Sequence, residues 1–196
     1  MKQTIPKMAS IPSLETVAAE RKRLRQQKEF RRTLLNIVYI LIVVAAVSVL
    51  SVTLFFPVLQ VSGTSMEPTL EDGDVIVLFK SGTYETGDLC AFYYQNKLLL
   101  KRVIGVPGDV IDIDADGNVS VNGEQLEESY VTSLSLGECD LTFPYQVPEN
   151  RYFVMGDNRL TSIDSRSSVI GCIEKDQIVG KVILRVWPWK KITAGF

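Results

Sequence analysis

The longest run of apolar residues lies near the amino terminus. Residues 34–59 read LLNIVYILIVVAAVSVLSVTLFFPVL, and no residue between Arg32 and Glu67 carries a charged side chain. A helix needs about 20 apolar residues to cross a bilayer core of ~30 Å, whereas the apolar region of a cleaved secretory signal has only about 7–15. The pattern therefore predicts a permanent transmembrane helix over residues 34–59, in preference to a buried helix of a soluble protein.

The pattern after this run changes to short apolar segments of strand length. These segments are rich in Val, Ile, Leu and aromatic residues and cover 74–79, 89–94, 98–106, 151–155 and 178–186. Turn-forming pairs such as Asp72-Gly73, Pro107-Gly108 and Asn122-Gly123 separate them. Residues 60–196 are therefore expected to form one all-β domain, barrel-like or sandwich-like, which makes the fold mainly β.

The segment before the apolar run is strongly basic. Residues 1–33 hold nine Lys/Arg against three Asp/Glu, and residues 21–32 read RKRLRQQKEFRR, whereas no Lys or Arg follows the run until Lys80. Cationic flanks stay in the cytoplasm, so 1–33 is predicted to be cytoplasmic and 60–196 extracytoplasmic on a single-pass plasma-membrane protein. From about Ser13 the basic segment is expected to be helical, either contacting anionic lipid or binding a regulatory partner.

Composition excludes several classes of function. The body after residue 66 has twelve Lys/Arg against twenty Asp/Glu, which argues against nucleic acid as a partner because phosphate binding needs a basic face. The chain has no histidine, so Ser-His-Asp and Cys-His hydrolases and histidine-ligated metal centres are excluded. The chain has three cysteines without C-x-x-C spacing, Cys90, Cys139 and Cys172. This pattern assigns no metal-binding or disulfide role to them.

One acidic motif resembles the start of a calcium loop. Asp112, Asp114 and Asp116 alternate before Gly117, but Gly123 occupies the twelfth position, where a bidentate Glu is required. The flanks are strand-like, so a hairpin with an Asp-Gly-Asn turn is predicted instead.

A candidate nucleophile follows the apolar run directly. Residues 61–70 read VSGTSMEPTL, and only five residues separate Leu59 from Ser65. Without histidine, the base for a serine nucleophile must be a carboxylate, a lysine or an amino terminus. A serine in such a loop can also be a simple turn former.

Lys101 has the most apolar surroundings of any lysine after the apolar run, in LLLKRVIGV over residues 98–106. Strand alternation puts Leu99, Lys101 and Val103 on one face. Desolvation lowers the pKa of a buried lysine, and a neutral amine can accept the proton of Ser65. The alternative is that the Lys101 ammonium reaches solvent past its apolar neighbours.

A third polar cluster, GDNRLTSIDSR, covers residues 156–166. Its density of polar residues is typical of a hydrogen-bonded surface loop. Asp157 and Asp164 could form an aspartic protease dyad, which needs a shared proton. Arg159 and Arg166 are expected to keep both carboxylates ionised, so this alternative is disfavoured.

The three clusters, in this order after one amino-terminal anchor, resemble the conserved boxes of bacterial type I signal peptidases of the Gram-positive kind, peptidase family S26. SGTSMEPTL resembles the nucleophile box, KRVIGVPGD over residues 101–109 the general-base box, and 156–166 the third signature. Segments 72–77 and 87–92 also resemble family strands. The resemblance extends from about Val58 to the carboxyl end.

The resemblance implies a role for each matching residue and requires no metal or cofactor. Ser65 corresponds to the nucleophile, Lys101 to the general base and Ser162 to the serine that orients the base. A supporting network corresponds to Arg102, Asp157, Asp164 and Arg166. The oxyanion-binding and substrate-binding set corresponds to Gly63, Ser65 and Met66. Some members of the family have a serine two positions before the nucleophile as a second oxyanion donor, and this chain has Gly63 there.

The same resemblance implies the reaction and the partners. The expected activity is removal of N-terminal signal peptides from exported preproteins at Ala-x-Ala sites on the outer face of the membrane. Partners would be these preproteins, the lipid bilayer and the secretion machinery, and the substrate would bind as an added strand. Trp187 and Trp189 either meet the lipid interface or pack on strands. A self-cleaving Ser-Lys protease of the repressor type and a catalytically silent anchored scaffold are the alternatives.

Overall fold

The computed structural model describes residues 14–80 and 82–194. The helix α1 covers Leu14–Phe55 without interruption, so the predicted basic helix and the apolar run form one element. It is long and apolar enough to cross a membrane. Ser48 and Ser51 donate their hydroxyls to backbone carbonyls four residues earlier, at 2.8 and 2.9 Å, so these polar groups are satisfied inside an apolar helix.

The helix ends earlier than the predicted span of 34–59. Pro57 has no backbone N–H to continue the helical hydrogen bonds, and the strand β1 begins at Val58. The last residues of the apolar run therefore belong to the sheet, which corrects the carboxyl-terminal bound of the helix from Leu59 to Phe55. The chain divides into two compact units, one ending at Ser51 and the other beginning at Val52.

The second unit is built from strands, as predicted. They are β1 (Val58–Gln60), β2 (Val75–Phe79), β3 (Leu89–Tyr94), β4 (Lys97–Gly105), β5 (Val110–Ile113), β6 (Val119–Val121), β7 (Glu124–Gln125), β8 (Tyr145–Gln146), β9 (Arg151–Met155), β10 (Ile173–Glu174), β11 (Ile178–Trp187) and β12 (Thr193–Ala194). Single 3-10 turns lie at Lys175–Gln177 and Trp189–Lys191. The mainly β fold after one apolar helix is confirmed, and so are the five predicted longer strands.

The main sheet has the strand order β1-β2-β11-β3-β4-β9-β10, with β12 paired to β11. Its central strand β3 pairs antiparallel with β4, and Cys90 lies opposite Lys101. Both faces of β3 are covered, because Leu89 and Ala91 join one core cluster and Cys90 and Phe92 join another. This explains why β3 reads as a continuous apolar run rather than an alternating one.

A smaller sheet has the order β7-β6-β5-β8. The hairpin predicted at the acidic motif is confirmed, because β5 pairs antiparallel with β6. Asp114 accepts hydrogen bonds from the backbone N–H of Asp116 and Asn118 at 3.0 and 2.8 Å, as an Asx turn does. A third core cluster joins residues of this sheet, such as Ile111, to Ile104 and Phe153 of the main sheet.

Candidate active site

The 61–70 loop, which carries Ser65, is held against the turn before β2. Val61 exchanges backbone hydrogen bonds with this turn, donating to Asp74 at 2.8 Å and accepting from Gly73 at 3.0 Å. The Gly63 N–H donates to the Asp72 carboxylate at 2.8 Å. Gly63 has a φ of +92°, which favours glycine. These bonds fix the backbone that leads into Ser65.

Lys101 reaches this loop from β4. Its Nζ lies 2.8 Å from the Ser65 Oγ, and the residue is only 4% exposed. Leu99 and Val103 pack in the same core cluster, so the predicted alternation is confirmed and Lys101 does not reach solvent. The structure thus brings together the two residues that the sequence singled out.

Burial lowers the pKa of Lys101 from its ordinary value. Removing an ammonium from water disfavours its charged form. The carboxylates of Asp164 and Asp157 act in the opposite direction, while the Arg166 cation adds to the lowering. Desolvation prevails, so this amine gives up its proton more readily than a lysine in water, as a general base must.

Arg102 forms a two-pronged ion pair with Asp157. The Arg102 Nε and Nη2 donate to the two carboxylate oxygens at 2.9 and 2.6 Å, and both side chains are buried. Thr69 also donates its hydroxyl to Asp157. Arg102 Nη1 donates to the carbonyl of Gly87 at 2.8 Å. The pair therefore links the strand of Lys101 to the 61–70 loop and the 156–166 loop.

Asp164 and Arg166 form a second buried pair within the 156–166 loop. Arg166 donates to the two Asp164 oxygens at 2.8 and 2.9 Å, and the Gly156 N–H adds a bond at 3.0 Å. Burial alone would raise the pKa of Asp164, but the hydrogen bonds and charge of Arg166 and the Gly156 bond hold it below its ordinary value. Asp164 therefore remains ionised.

Asp157 has a different partner from the one expected. We predicted that Arg159 and Arg166 would pair with the two aspartates, but Arg159 pairs with Glu128 and Asp157 pairs with Arg102. Because each carboxylate has its own guanidinium, neither needs a shared proton. The aspartic protease alternative is thus disfavoured for a physical reason that the sequence only partly identified.

The 156–166 loop holds the backbone of Ser65. The Asn158 N–H donates to the Ser65 carbonyl at 3.1 Å, and the Asn158 side chain donates to the Thr64 carbonyl at 3.3 Å. A Cβ on Gly156 would lie 2.6 Å from the Ser65 carbonyl oxygen and 2.3 Å from the Ser162 Oγ. Only glycine permits this close approach.

The remaining predicted site residues differ in their hydrogen bonding and burial. Ser162 is buried, and its Oγ makes no hydrogen bond within residues 14–80 and 82–194, so it is not bonded to Lys101 here. The Gly63 N–H is already engaged by Asp72. The Met66 side chain is buried in a core cluster.

Sequence reasoning missed Thr69, Glu128 and Tyr130 as parts of this network. The Tyr130 ring lies 3.9 Å from the Arg102 guanidinium carbon. Glu128 and Arg159 are 31 residues apart in the chain, and Thr69 and Asp157 are 88 apart. Of these three residues, only Thr69 lies inside a motif that we had singled out.

A cleft of about 150 Å³ opens beside the Ser65–Lys101 pair. A cavity of this size holds roughly one benzene molecule. It lies between β1, the 61–70 loop and the first half of β4, and its walls expose polar and apolar surface in about equal measure. The lining residues are Leu59, Gln60, Val61, Ser62, Gly63, Ser65, Met66, Ile76, Ala91, Leu98, Leu99, Leu100 and Lys101.

Comparisons with known proteins agree on one family. A family model described as signal peptidase, peptidase S26, matches residues 32–187. The chain is 37% identical over 156 residues to signal peptidase IB of Staphylococcus aureus, covering 69% of this chain and 80% of that protein. It is 34% identical over 167 residues to signal peptidase I of Bacillus licheniformis, covering 78% of this chain and 88% of that protein.

Among solved structures, the chain is similar to a crystal structure of a signal peptidase I from Enterococcus faecalis. The two are 29% identical with a TM-score of 0.42, and the match covers 50% of this chain and 96% of that one. The family match itself extends from the helix to the end of β11 and includes the loops of Ser65 and Lys101. On this match, together with relatives above 30% identity, the chain belongs to the signal peptidase family, peptidase S26.

Proposed function

We propose that this protein removes N-terminal signal peptides from exported preproteins, with Ser65 as the nucleophile and Lys101 as the general base. Cleavage of signal peptides is the activity of the family to which it belongs. The observation that carries the residue assignment is the 2.8 Å distance between the Lys101 Nζ and the Ser65 Oγ, together with the burial of the Lys101 amine. A hydroxyl and a neutral amine at hydrogen-bond distance meet the geometric requirement for general-base catalysis.

The proposed reaction has two halves that share one base. Neutral Lys101 takes the hydroxyl proton as the Ser65 Oγ attacks the scissile carbonyl carbon, and the carbonyl becomes an oxyanion. The resulting ammonium then gives its proton to the leaving nitrogen as the C–N bond breaks, which leaves an acyl ester on Ser65. In the second half, Lys101 takes a proton from water and the hydroxide oxygen attacks the ester carbonyl. The Lys101 ammonium then returns the proton to the Ser65 Oγ as the ester C–O bond breaks and the new carboxyl terminus departs.

Backbone N–H groups of the 61–70 loop are the proposed donors to the oxyanion. Donors fixed in advance are worth far more in a water-excluded site than in solution. The Gly63 N–H is hydrogen-bonded to Asp72, so it is not a donor to the oxyanion. Gly63 instead supplies the turn that leads the chain into Ser65. The proposed oxyanion donors are therefore the N–H groups of Ser65 and Met66.

The proposed substrate segment is an extended peptide with small side chains at the cleavage site. The cleft beside Ser65 and Lys101 is small, about 150 Å³, and combines leucine and valine side chains with polar groups, which suits the small side chains of Ala-x-Ala sequences rather than large ones. An extended peptide lying between the 61–70 loop and β4 would bond to exposed backbone groups, as in strand addition.

The proposed location is the plasma membrane, with the catalytic unit outside the cell. The basic residues 21–32 precede the apolar part of α1, and this asymmetry favours a cytoplasmic amino terminus. Proposed partners are signal-peptide-bearing preproteins and the bilayer that holds them. The secretion machinery that delivers these preproteins is a further proposed partner.

The test is cleavage of a synthetic signal peptide with one Ala-x-Ala site by the purified full-length protein in detergent. We expect turnover in trans at that site, and a loss of roughly 10³-fold or more in Ser65→Ala and in Lys101→Arg, because arginine cannot become neutral near pH 7. Matched controls are Ser133→Ala and Lys97→Arg, which change exposed residues outside the site.

Retained cleavage by folded Ser65→Ala would remove Ser65 from the mechanism. No turnover by the wild-type protein, or cleavage of its own chain only, would instead support a silent scaffold or a self-cleaving protease.

A further inference from the structure

Residues 127–137, here called the covering segment, connect strands of the small sheet and lie over buried arginines beside the main sheet. The segment follows β7 and contacts Arg102, Arg159 and Arg166 through side chains or carbonyls. Arg102 follows Lys101 in β4, and Arg166 lies near enough to act on the Lys101 charge. The proposed chemistry assigns no role to the covering segment.

Glu128 supplies the counter-charge of Arg159. Its two carboxylate oxygens accept hydrogen bonds from the two terminal guanidinium nitrogens of Arg159, and the bond from Nη1 is 3.0 Å long. The Glu128 side chain is 5% exposed and the Arg159 side chain 0%. Without this carboxylate a buried guanidinium would be unpaired, which proteins tolerate poorly. Arg159 also donates to the Gly156 carbonyl at 3.1 Å. Glu128 therefore fixes the start of the 156–166 loop, which holds the Ser65 backbone.

Tyr130 joins this ion pair to the next one. Its hydroxyl donates to Glu128 at 2.9 Å, and its ring stacks on the Arg102 guanidinium with 3.9 Å between the guanidinium carbon and the ring centre. A cation over an aromatic face is attracted by the ring quadrupole, more so when water is excluded. Arg102 follows Lys101 in β4 and pairs with Asp157.

The end of the covering segment closes over the third arginine. The carbonyls of Ser135 and Leu136 accept from Arg166 Nη1 at 3.1 and 2.8 Å. Gly137 lies so close that a Cβ there would be 2.6 Å from the Arg159 carbonyl oxygen. The segment therefore covers the pairs of Asp157 and Asp164, the two carboxylates that act on the Lys101 charge.

We propose that Glu128 and Tyr130 are positioning residues for the Lys101 amine, acting through Arg102 and the 156–166 loop. This inference rests on the proposed Ser65–Lys101 chemistry. The covering segment keeps water from the ion pairs beside Lys101 and holds their guanidinium groups in place. Opening it would let water stabilise the ammonium form of Lys101, so a higher pH would be needed to obtain the active neutral amine.

The test compares Tyr130→Leu, Tyr130→Phe and Glu128→Gln with wild type in the full-length protein, measuring kcat and KM for the Ala-x-Ala peptide from pH 5 to 10. In Tyr130→Leu we expect the midpoint of the acid limb to rise by about one pH unit, which lowers kcat at pH 7 by up to about tenfold, with KM little changed. Tyr130→Phe keeps the ring over Arg102 and should show a smaller shift than Tyr130→Leu. Glu128→Gln should lower kcat.

Glu127→Gln is the matched control, because it neutralises the adjacent exposed carboxylate of the same segment. Urea unfolding of each variant identifies those that remain folded under assay conditions. An unshifted acid limb in folded Tyr130→Leu and Tyr130→Phe would overturn the inference, even if both variants were less stable. The proposed function would stand in that case, provided that the wild type has an acid limb and Ser65→Ala is inactive.

Discussion

Lys101 is the residue whose chemistry depends most on its surroundings. Burial lowers its pKa, and only the neutral amine can act as a base. With Lys101 as the proposed base, the fraction of active enzyme grows as the pH rises through the lowered pKa and falls about tenfold per pH unit below it. The pKa of Asp164 is held below its ordinary value by Arg166 and the Gly156 N–H, so Asp164 adds no second limb near neutrality.

We therefore predict a kcat/KM profile with one acid limb, whose midpoint lies below the ordinary pKa of lysine. The measurement is kcat/KM on the Ala-x-Ala peptide from pH 5 to 10, with circular dichroism to confirm that the protein is folded at each pH. A profile that is flat down to pH 5 would exclude Lys101 as the base.

Gly156 lies where the 156–166 loop passes close to the backbone of Ser65. A Cβ at this position would meet the Ser65 carbonyl oxygen at 2.6 Å and the Ser162 Oγ at 2.3 Å. Gly156→Ala should therefore displace the Ser65 backbone, lowering the free energy of unfolding by about 1–3 kcal/mol and reducing kcat/KM. Gly82→Ala is the control, since nothing lies within 4 Å of its added Cβ. Urea unfolding and peptide cleavage measure both effects, and wild-type kcat/KM in Gly156→Ala would contradict the prediction.

At the scale of elements, β11 connects the carboxyl-terminal part of the second unit to the 61–70 loop. Arg185 in this strand donates to the Asp74 carboxylate and to the Thr69 carbonyl, each at 3.0 Å, and the ion pair is buried. Lys181 in the same strand also forms an ion pair, with Asp88, but its side chain is 32% exposed. The two pairs differ mainly in their access to water.

We predict that Arg185→Met lowers the free energy of unfolding by about 3–5 kcal/mol, because Asp74 would remain as an unpaired buried charge. Lys181→Met removes the more exposed pair and should change the free energy of unfolding by about 1 kcal/mol or less. Chemical unfolding in urea at pH 7 gives both values. Equal effects of the two substitutions would show that burial does not decide the strength of these pairs.

The sequence predicts the longer elements well because each carries its own pattern. The strands β2, β3, β4, β9 and β11 are segments of strand length rich in apolar residues between turns, and the structure contains all of them. Strands of two or three residues, such as β7 and β10, have no pattern of their own and exist only through their partners. The helix end was misplaced because the apolar run continues into β1 with the same composition.

The candidate site was predictable only where a motif contains it. Ser65 and Lys101 lie in distinctive local sequences, and the structure brings them together. Glu128 and Tyr130 lie in an ordinary polar segment, and their contacts depend on how the small sheet packs against the main one. A buried arginine always needs a counter-charge, but the sequence alone does not say which of twenty-three acidic residues supplies it.

At the scale of the whole molecule, Ser65, Lys101 and the ion pairs beside them all lie in one of the two compact units. That unit begins at Val52, and its three core clusters contain residues from Leu59 onward. None of the described residues before Val52 belongs to a core cluster, so the apolar part of α1 adds nothing to these cores.

A chain of residues 52–196 is therefore predicted to fold and to cleave a soluble Ala-x-Ala peptide at a rate within about threefold of the full-length protein, since its cores and its Ser65–Lys101 pair are intact. It should lose stable binding to lipid vesicles, because about 20 apolar residues of helix are needed to span the bilayer.

The rate of this fragment on a preprotein inserted in vesicles should fall well below that of the full chain, whose helix would place it in the same membrane as its substrate. Vesicle flotation and parallel assays on the two substrates measure these effects. An inactive but folded fragment would show instead that the helix takes part in forming the site.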